Sequence, residues 1–125
     1  MTLRAKCRVL KVKSADGTKL YANALGDPTK PCIIFIHGAS MSSMLFDSVF
    51  ADRKWSEMLY LVCLFVFMVA VAPSQLTFKV RYDVRGHGRS DTPKGEDSYQ
   101  SQRLAEDFDA VVKAFNVKKP IVLGW

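Results

Sequence analysis

Apolar and polar positions alternate at the start of the chain. Ala5, Cys7, Val9 and Val12 interleave with Arg4, Lys6, Arg8, Lys11 and Lys13. Period two is the mark of a half-solvated strand, so residues 4 to 13 and 18 to 25 read as two strands. Between them lies Ser14-Ala15-Asp16-Gly17. Asp-Gly between alternating runs predicts a hairpin, because glycine accepts the positive φ that such turns need. Gly26-Asp27-Pro28 then breaks the chain, and Pro31 leads into an unbroken apolar run, Cys32 to Ile36, stopped by His37-Gly38. A short run rich in β-branched residues predicts a strand buried on both faces of a parallel sheet. Ligands of open α/β sheets collect at the carboxyl ends of such strands.

Further on the period lengthens. Ser40, Ser42 or Ser43 caps a predicted helix that carries Leu45, Phe46, Val49 and Phe50 on one face and ends between Trp55 and Met58. A cleaner stripe follows at Leu104, Phe108, Val111, Val112 and Phe115, opposed by Glu106, Asp107, Asp109 and Lys113 and introduced by Asp97-Ser98 and Ser101. That stripe is expected to pack on the sheet. Lys118-Lys119-Pro120 then starts a last strand, Ile121-Val122-Leu123. Strands alternating with helices predict the α/β class.

One block fits neither period. From Met58 to Phe78 the chain has twenty-one uncharged residues, most densely apolar from Met58 to Ala72. That window is long enough for a membrane helix, while its dense core is nearer the length of a buried one.

At 125 residues the chain is one domain or part of one, and its 49% hydrophobic and 24% charged content is ordinary for a globular protein. The net charge of +6 raises the question of an anionic partner. The basic residues of the first strand interleave with no stacking aromatics, so they read as a solvated face, and no nucleic-acid partner is expected. Cys7, Cys32 and Cys63 are widely spaced, odd in number and set among apolar neighbours, which predicts reduced, buried thiols. With no charged-then-apolar leader at the start, the expected location is the cytoplasm, with the membrane as alternative. The histidines, His37 and His87, are fifty residues apart, so no metal site is expected. Gly86-x-Gly88 lacks the third glycine of a dinucleotide fingerprint, and Thr92-Pro93 follows where its helix should begin, so no cofactor is expected.

Three landmarks together are more specific: His37-Gly38 after the central strand, Tyr82-Asp83-Val84-Arg85-Gly86-His87-Gly88-Arg89-Ser90, and Pro120-Ile121-Val122-Leu123-Gly124-Trp125. In this order they resemble the α/β-hydrolase superfamily of the AB hydrolase-1 type. The resemblance implies an antiparallel hairpin followed by parallel strands with flanking helices, here the incomplete amino-terminal part of such a sheet. It implies hydrolysis of an ester or related bond of a small molecule by a nucleophile, an acid and a histidine. Gly124-Trp125 match the first two positions of the nucleophile turn, so the nucleophile, serine or aspartate, is expected immediately after Trp125. Residues 1–125 then contain no catalytic residue and are expected to be inactive. The oxyanion hole is assigned to Gly38 and the backbone N–H of Ala39, with His37, Ser40 and Trp125 lining the pocket. Asp83, Arg85, His87 and Ser90 are assigned to structural turn work rather than to a triad.

Against this pattern the block at 62–79 is an interruption of the 1–125 domain. Deleting it joins Leu61 to Val80 and restores a smooth strand, Met-Leu-Tyr-Leu-Val-Arg-Tyr-Asp. A retained intron, a membrane helix at Met58–Phe78 and a soluble insertion are the three readings. The alternative functions are a non-catalytic membrane-associated protein and a partner-binding protein that uses the sheet edge at Ile121 to Leu123. The oligomeric state is not fixed by the sequence.

Overall fold

The hairpin forms where the alternation predicts it. In a computed structural model that describes residues 7–51 and 78–124, β1 (Arg8–Lys13) pairs antiparallel with β2 (Lys19–Leu25), Lys13 opposite Lys19. The turn is closed by the Ser14 amide donating to Thr18 O at 2.8 Å, and Gly17 takes φ 89°. Residues 4 to 6 of the expected first strand lie outside the described residues, and Cys7 is exposed rather than buried.

β3 (Cys32–Ile36), β4 (Phe78–Tyr82) and β5 (Ile121–Gly124) complete one sheet in the order β1-β2-β4-β3-β5. β4 pairs antiparallel with β2 and parallel with β3, and β5 lies parallel to β3 on the other side. Central strands in such a sheet are covered on both faces, which is why β3 and β4 are buried along almost their whole length.

One face packs against a helix, α2 (Ser101–Ala114), through Val111, Phe115, Ile34, Phe78, Val80 and Tyr82. The other is covered by Phe46 and Phe50, which meet Phe35 at centroid distances of 5.1 and 5.7 Å. Those two rings come from a 3-10 turn, Ser43–Phe46, capped by the Ser42 hydroxyl, and from a short helix, α1 (Asp47–Ala51), rather than from one longer helix. The 3-10 turn rotates Leu45 outward, so it is exposed and not on the apolar face expected of it. The expected course towards Trp55 to Met58 lies outside the described residues.

α2 also departs from expectation at its start. Asp97 and Ser98 belong to a preceding 3-10 turn, Glu96–Tyr99, and Gln100 stands at the helix N-cap with no side-chain cap bond. On the helix itself Asp107, expected on the solvent face, is 1% exposed.

Of the block 62–79 only Phe78 and Lys79 are among the described residues, and both are strand residues of β4. Phe78 packs edge-on against Phe115 in the core, which removes it from the membrane span expected at Met58–Phe78. The rest of that window lies outside the described residues. Among the described residues no helix is long and apolar enough to cross a membrane.

Candidate functional site

β3 and β4 end side by side, Ile36 opposite Tyr82, and the turns that follow them interlock. His37, 4% exposed, accepts the Val84 N–H on Nε2 at 2.9 Å, and its Nδ1 lies 2.9 Å from Gly38 O. A carbonyl only accepts, so the ring is the neutral tautomer with its proton on Nδ1. His87 repeats the pattern from the other turn: Nδ1 donates to Arg85 O at 3.1 Å and Nε2 accepts the Ser40 N–H at 3.3 Å. The two imidazoles meet edge to face with centroids 5.2 Å apart.

Asp83 ties the same two turns together. Its carboxylate accepts the Ser43 N–H at 2.7 Å and the Arg89 N–H at 2.8 Å. Burial pushes this carboxyl up, but the bonds from Ser43 and Arg89 and the nearby Arg89 charge outweigh it, leaving the group below the usual carboxylate range. Gly88 turns at φ 50° directly over it; a Cβ there would stand 2.4 Å from Asp83 Oδ2. Ser90 accepts the Tyr21 N–H and donates to Asp83 O, fastening the turn to β2.

Arg85 is fully buried and binds five acceptor atoms of three residues, the longest bond being Nη2 to Asp16 Oδ1 at 3.4 Å. Nε and Nη2 grip the Asp107 carboxylate at 2.7 and 2.6 Å, and Nη1 reaches Asp16 Oδ2 at 2.8 Å and Ser98 O at 2.7 Å. A guanidinium out of water needs such neutralisation. One side chain thereby joins the β1–β2 turn, the 3-10 turn and α2. The Arg85 bond holds Asp16 well below its ordinary carboxylate range, aided by the Thr18 N–H.

Beside these turns, between the ends of β3 and β4 and α2, opens a cleft of about 530 Å³. Its walls are mainly carbon, from Ile36, Tyr82, Val84, Leu104 and Phe108. His37, Gly38, Ala39 and His87 form its head. The Ala39 N–H has no hydrogen-bond partner among the described residues. A hollow of about 590 Å³ lies instead at the β1 edge, against α2 and away from the β3–β4 turns.

Of the site residues expected from the sequence, His37, Gly38 and Ala39 come together at the cleft. Ser40 does not line it: in a left-handed conformation, φ 62°, it gives its amide to His87. Trp125 lies outside the described residues. Asp83, Arg85, His87 and Ser90 form no hydroxyl–imidazole–carboxylate chain, since each is spent on the bonds above. Sequence reasoning missed Asp107. Its signal was present, as it falls three residues after Leu104 and four before Val111, inside the apolar stripe, where a carboxylate implies a buried cation. Cys32, a buried residue of β3 beside Phe78, is no nucleophile either, its thiol pushed up to about 12 by burial.

Comparison with known proteins agrees with this geometry. A 29% identical crystal structure, described as an aryl esterase from Burkholderia cenocepacia, superposes with a TM-score of 0.74 over 94% of this chain and 37% of its own. An epoxide hydrolase from an endophytic Streptomyces shares the fold at 20% identity and a TM-score of 0.67, over 98% of this chain and 30% of its own. A Mycobacterium tuberculosis protein designated an oxidoreductase, EphD, is 31% identical over 113 residues, 88% of this chain and 15% of the relative. The chain thus spans about 15% of the length of its curated relatives and about a third of the structural ones. The sequence profile of the alpha/beta hydrolase fold matches residues 31–125, and with the sheet order and interlocked turns described above, the chain belongs to that family.

Proposed function

We propose that these residues form the oxyanion side of a hydrolytic site, within a protein that cleaves an ester or related bond of a small, largely apolar molecule. The carrying observation is strand register. β5 runs parallel to β3 with Gly124 opposite Ile36. β5 therefore ends beside the His37-Gly38 turn and the unpaired Ala39 N–H, which supports a nucleophile supplied by the segment that follows β5.

A nucleophile at that position attacks the substrate carbonyl, and the negative oxygen that forms meets two preorganised donors: Ala39 N–H and the N–H following the nucleophile. Gly38 lets the oxygen approach. His37 is not the base, because Nε2 already accepts from Val84 and Nδ1–H from His37 is held by Gly38 O. The acid and the base come from further along a longer chain. Serine suits the turn better than aspartate, because Ala39-Ser40 stands where epoxide hydrolases often carry x-Pro, and the aryl esterase structure at 29% identity is compatible with it. The carbon walls of the cleft favour an apolar substituent on the substrate. The cytoplasm is the proposed location.

The block at 62–79 is proposed to be a retained intron. Its removal would put Tyr60 and Leu61 in the β4 positions now held by Phe78 and Lys79, the latter 4% exposed. A leucine there needs no polar partner, whereas the Lys79 ammonium lies over the Phe50 ring, 5.8 Å from its centroid. Long-read sequencing of the native transcript tests this, with a majority of molecules lacking codons 62 to 79 expected; a majority retaining them refutes it.

The activity is tested with p-nitrophenyl acetate and styrene oxide on two proteins, residues 1–125 and the longest native product. The longer product is expected to hydrolyse the acetate, with inhibition by a serine-directed phosphonate. Residues 1–125 should not exceed background, since loss of the nucleophile alone costs about 10⁶ in turnover. Inhibitor-sensitive hydrolysis by residues 1–125, or none by a folded longer product, overturns the reading. Cleavage of the epoxide alone would assign the nucleophile to aspartate.

A further inference from the structure

Ser40 is one of the few non-glycine residues with positive φ, at 62°, a conformation that costs an L-residue free energy and persists only where neighbours impose it. The bond that imposes it is the Ser40 N–H to His87 Nε2, 3.3 Å long. On one side of Ser40 is Ala39, whose N–H is unpaired at the head of the cleft; on the other, the Met41 N–H closes a turn onto Gly38 O at 3.3 Å. Among the described residues, loop 38–41 therefore has two side-chain anchors from outside, His37 Nδ1–H on Gly38 O and His87 Nε2 on the Ser40 N–H, and the second works only while His87 Nε2 carries no proton.

We propose that His87 is a positioning residue for loop 38–41: the neutral Nδ1–H tautomer holds the Ser40 amide and thereby orients the Ala39 N–H, and protonation of His87 releases the loop. Its value to catalysis rests on Ala39 being an oxyanion donor, but the device itself does not. Protonation places a second N–H against that of Ser40, so the bond is lost and a like-signed contact takes its place.

Several titratable and charged groups face His87. Across from it is His37, with both nitrogens engaged. Around the shared cleft stand Tyr82, Arg85, Tyr99 and Asp107, and Asp83 and Arg89 belong to its own turn. The two carboxylates are already committed, Asp107 to the Arg85 guanidinium and Asp83 to the Ser43 and Arg89 amides. Neither is free to take up an imidazolium proton.

The test is nitrogen-15 NMR of the uniformly labelled chain between pH 5 and 8, reading the ring nitrogens of both histidines and the amides of Ala39 and Ser40. The unaltered protein should show His87 as the Nδ1–H tautomer at high pH, with the Ser40 amide moving at the same midpoint as the His87 ring. In His87→Gln, whose carbonyl accepts without titrating, the Ser40 amide should keep its high-pH position throughout. In His87→Phe its hydrogen exchange should rise about five- to tenfold, the loss of one ordinary hydrogen bond. An Nε2–H tautomer, a Ser40 amide that ignores the His87 midpoint or follows that of His37, or unchanged exchange in His87→Phe overturns the proposal. The first two readings need no variant. Because none involves turnover, failure here is distinct from failure of the hydrolase reading.

Discussion

At the scale of single residues, buried charge organises this molecule more than any apolar contact. Arg85 has no exposed side-chain surface and two carboxylate partners, one buried and one 21% exposed. Breaking a buried ion pair on one side leaves an uncompensated charge, so Asp107→Asn should destabilise the chain by about 3 kcal/mol in urea unfolding. Asp16→Asn, nearer water, should cost about 1 kcal/mol. Both Asp16 and Asp83 sit below the ordinary carboxylate pKa in the folded state. Their contribution is thus complete above the unfolded value near 4 and is lost as pH falls through the lower folded values. Urea midpoints measured from pH 7 down to pH 2 should be level at first and then fall below about pH 5, with a shallower fall in Asp16→Asn. Little of this network was legible in the sequence: Asp107's place inside the apolar stripe was its one sign, while the pairings themselves, across 69 and 22 positions, leave no trace in local periodicity, so Asp16 looked like a turn residue and Asp107 like a surface one.

At the scale of elements the sequence spoke more plainly. Four of the five strands lie where alternation or an apolar run put them, because side-chain burial at period two is a local property of the backbone, whereas β4 starts at Phe78, inside the block set apart from the pattern. The α2 stripe is right at Val111 and Phe115 and fails at Asp107, which is buried, and at Leu104, which is 38% exposed. The segment after β3 was the harder case. Its serines offer caps at three positions, and the bond from Ser43 to Asp83, 40 positions away, decides that a 3-10 turn begins there. The His37-Gly38 turn was likewise visible, but not its pairing with the turn after β4. That pairing turns on Gly88, where a side chain would need both positive φ and the space of the Asp83 carboxylate. Gly88→Ala should therefore destabilise by about 2 kcal/mol or more. It should also raise the exchange rate of the Ser43 amide, which is the measurement that separates it from a general loss of stability.

At the scale of the whole molecule the two edges of the sheet differ. β1 carries Arg8, Lys11 and Lys13, the charged guard typical of an edge. β5 carries Ile121, Val122 and Leu123 with no charge, and Val122 is 49% exposed. Self-association through β5 should follow from that contrast. Sedimentation of residues 1–125 should show it growing with concentration, and Val122→Lys should reduce it while leaving the unfolding midpoint within about 0.5 kcal/mol, as for other exposed positions. A second consequence comes from the strand order. β2 and β3 never touch; β4 separates them, although it follows them by some forty residues. The sheet therefore cannot zip up as it leaves the ribosome. β3 waits, both edges open, until the chain has looped out and returned, so formation of the nucleus is governed by closure of that one loop. Closure depends on length only logarithmically: growing the stretch between Ile36 and the next strand from about 23 to about 41 residues costs roughly 0.5 kcal/mol. A gene that gains eighteen codons at this point thus keeps a nearly unchanged folding equilibrium, and selection on stability alone would scarcely see them.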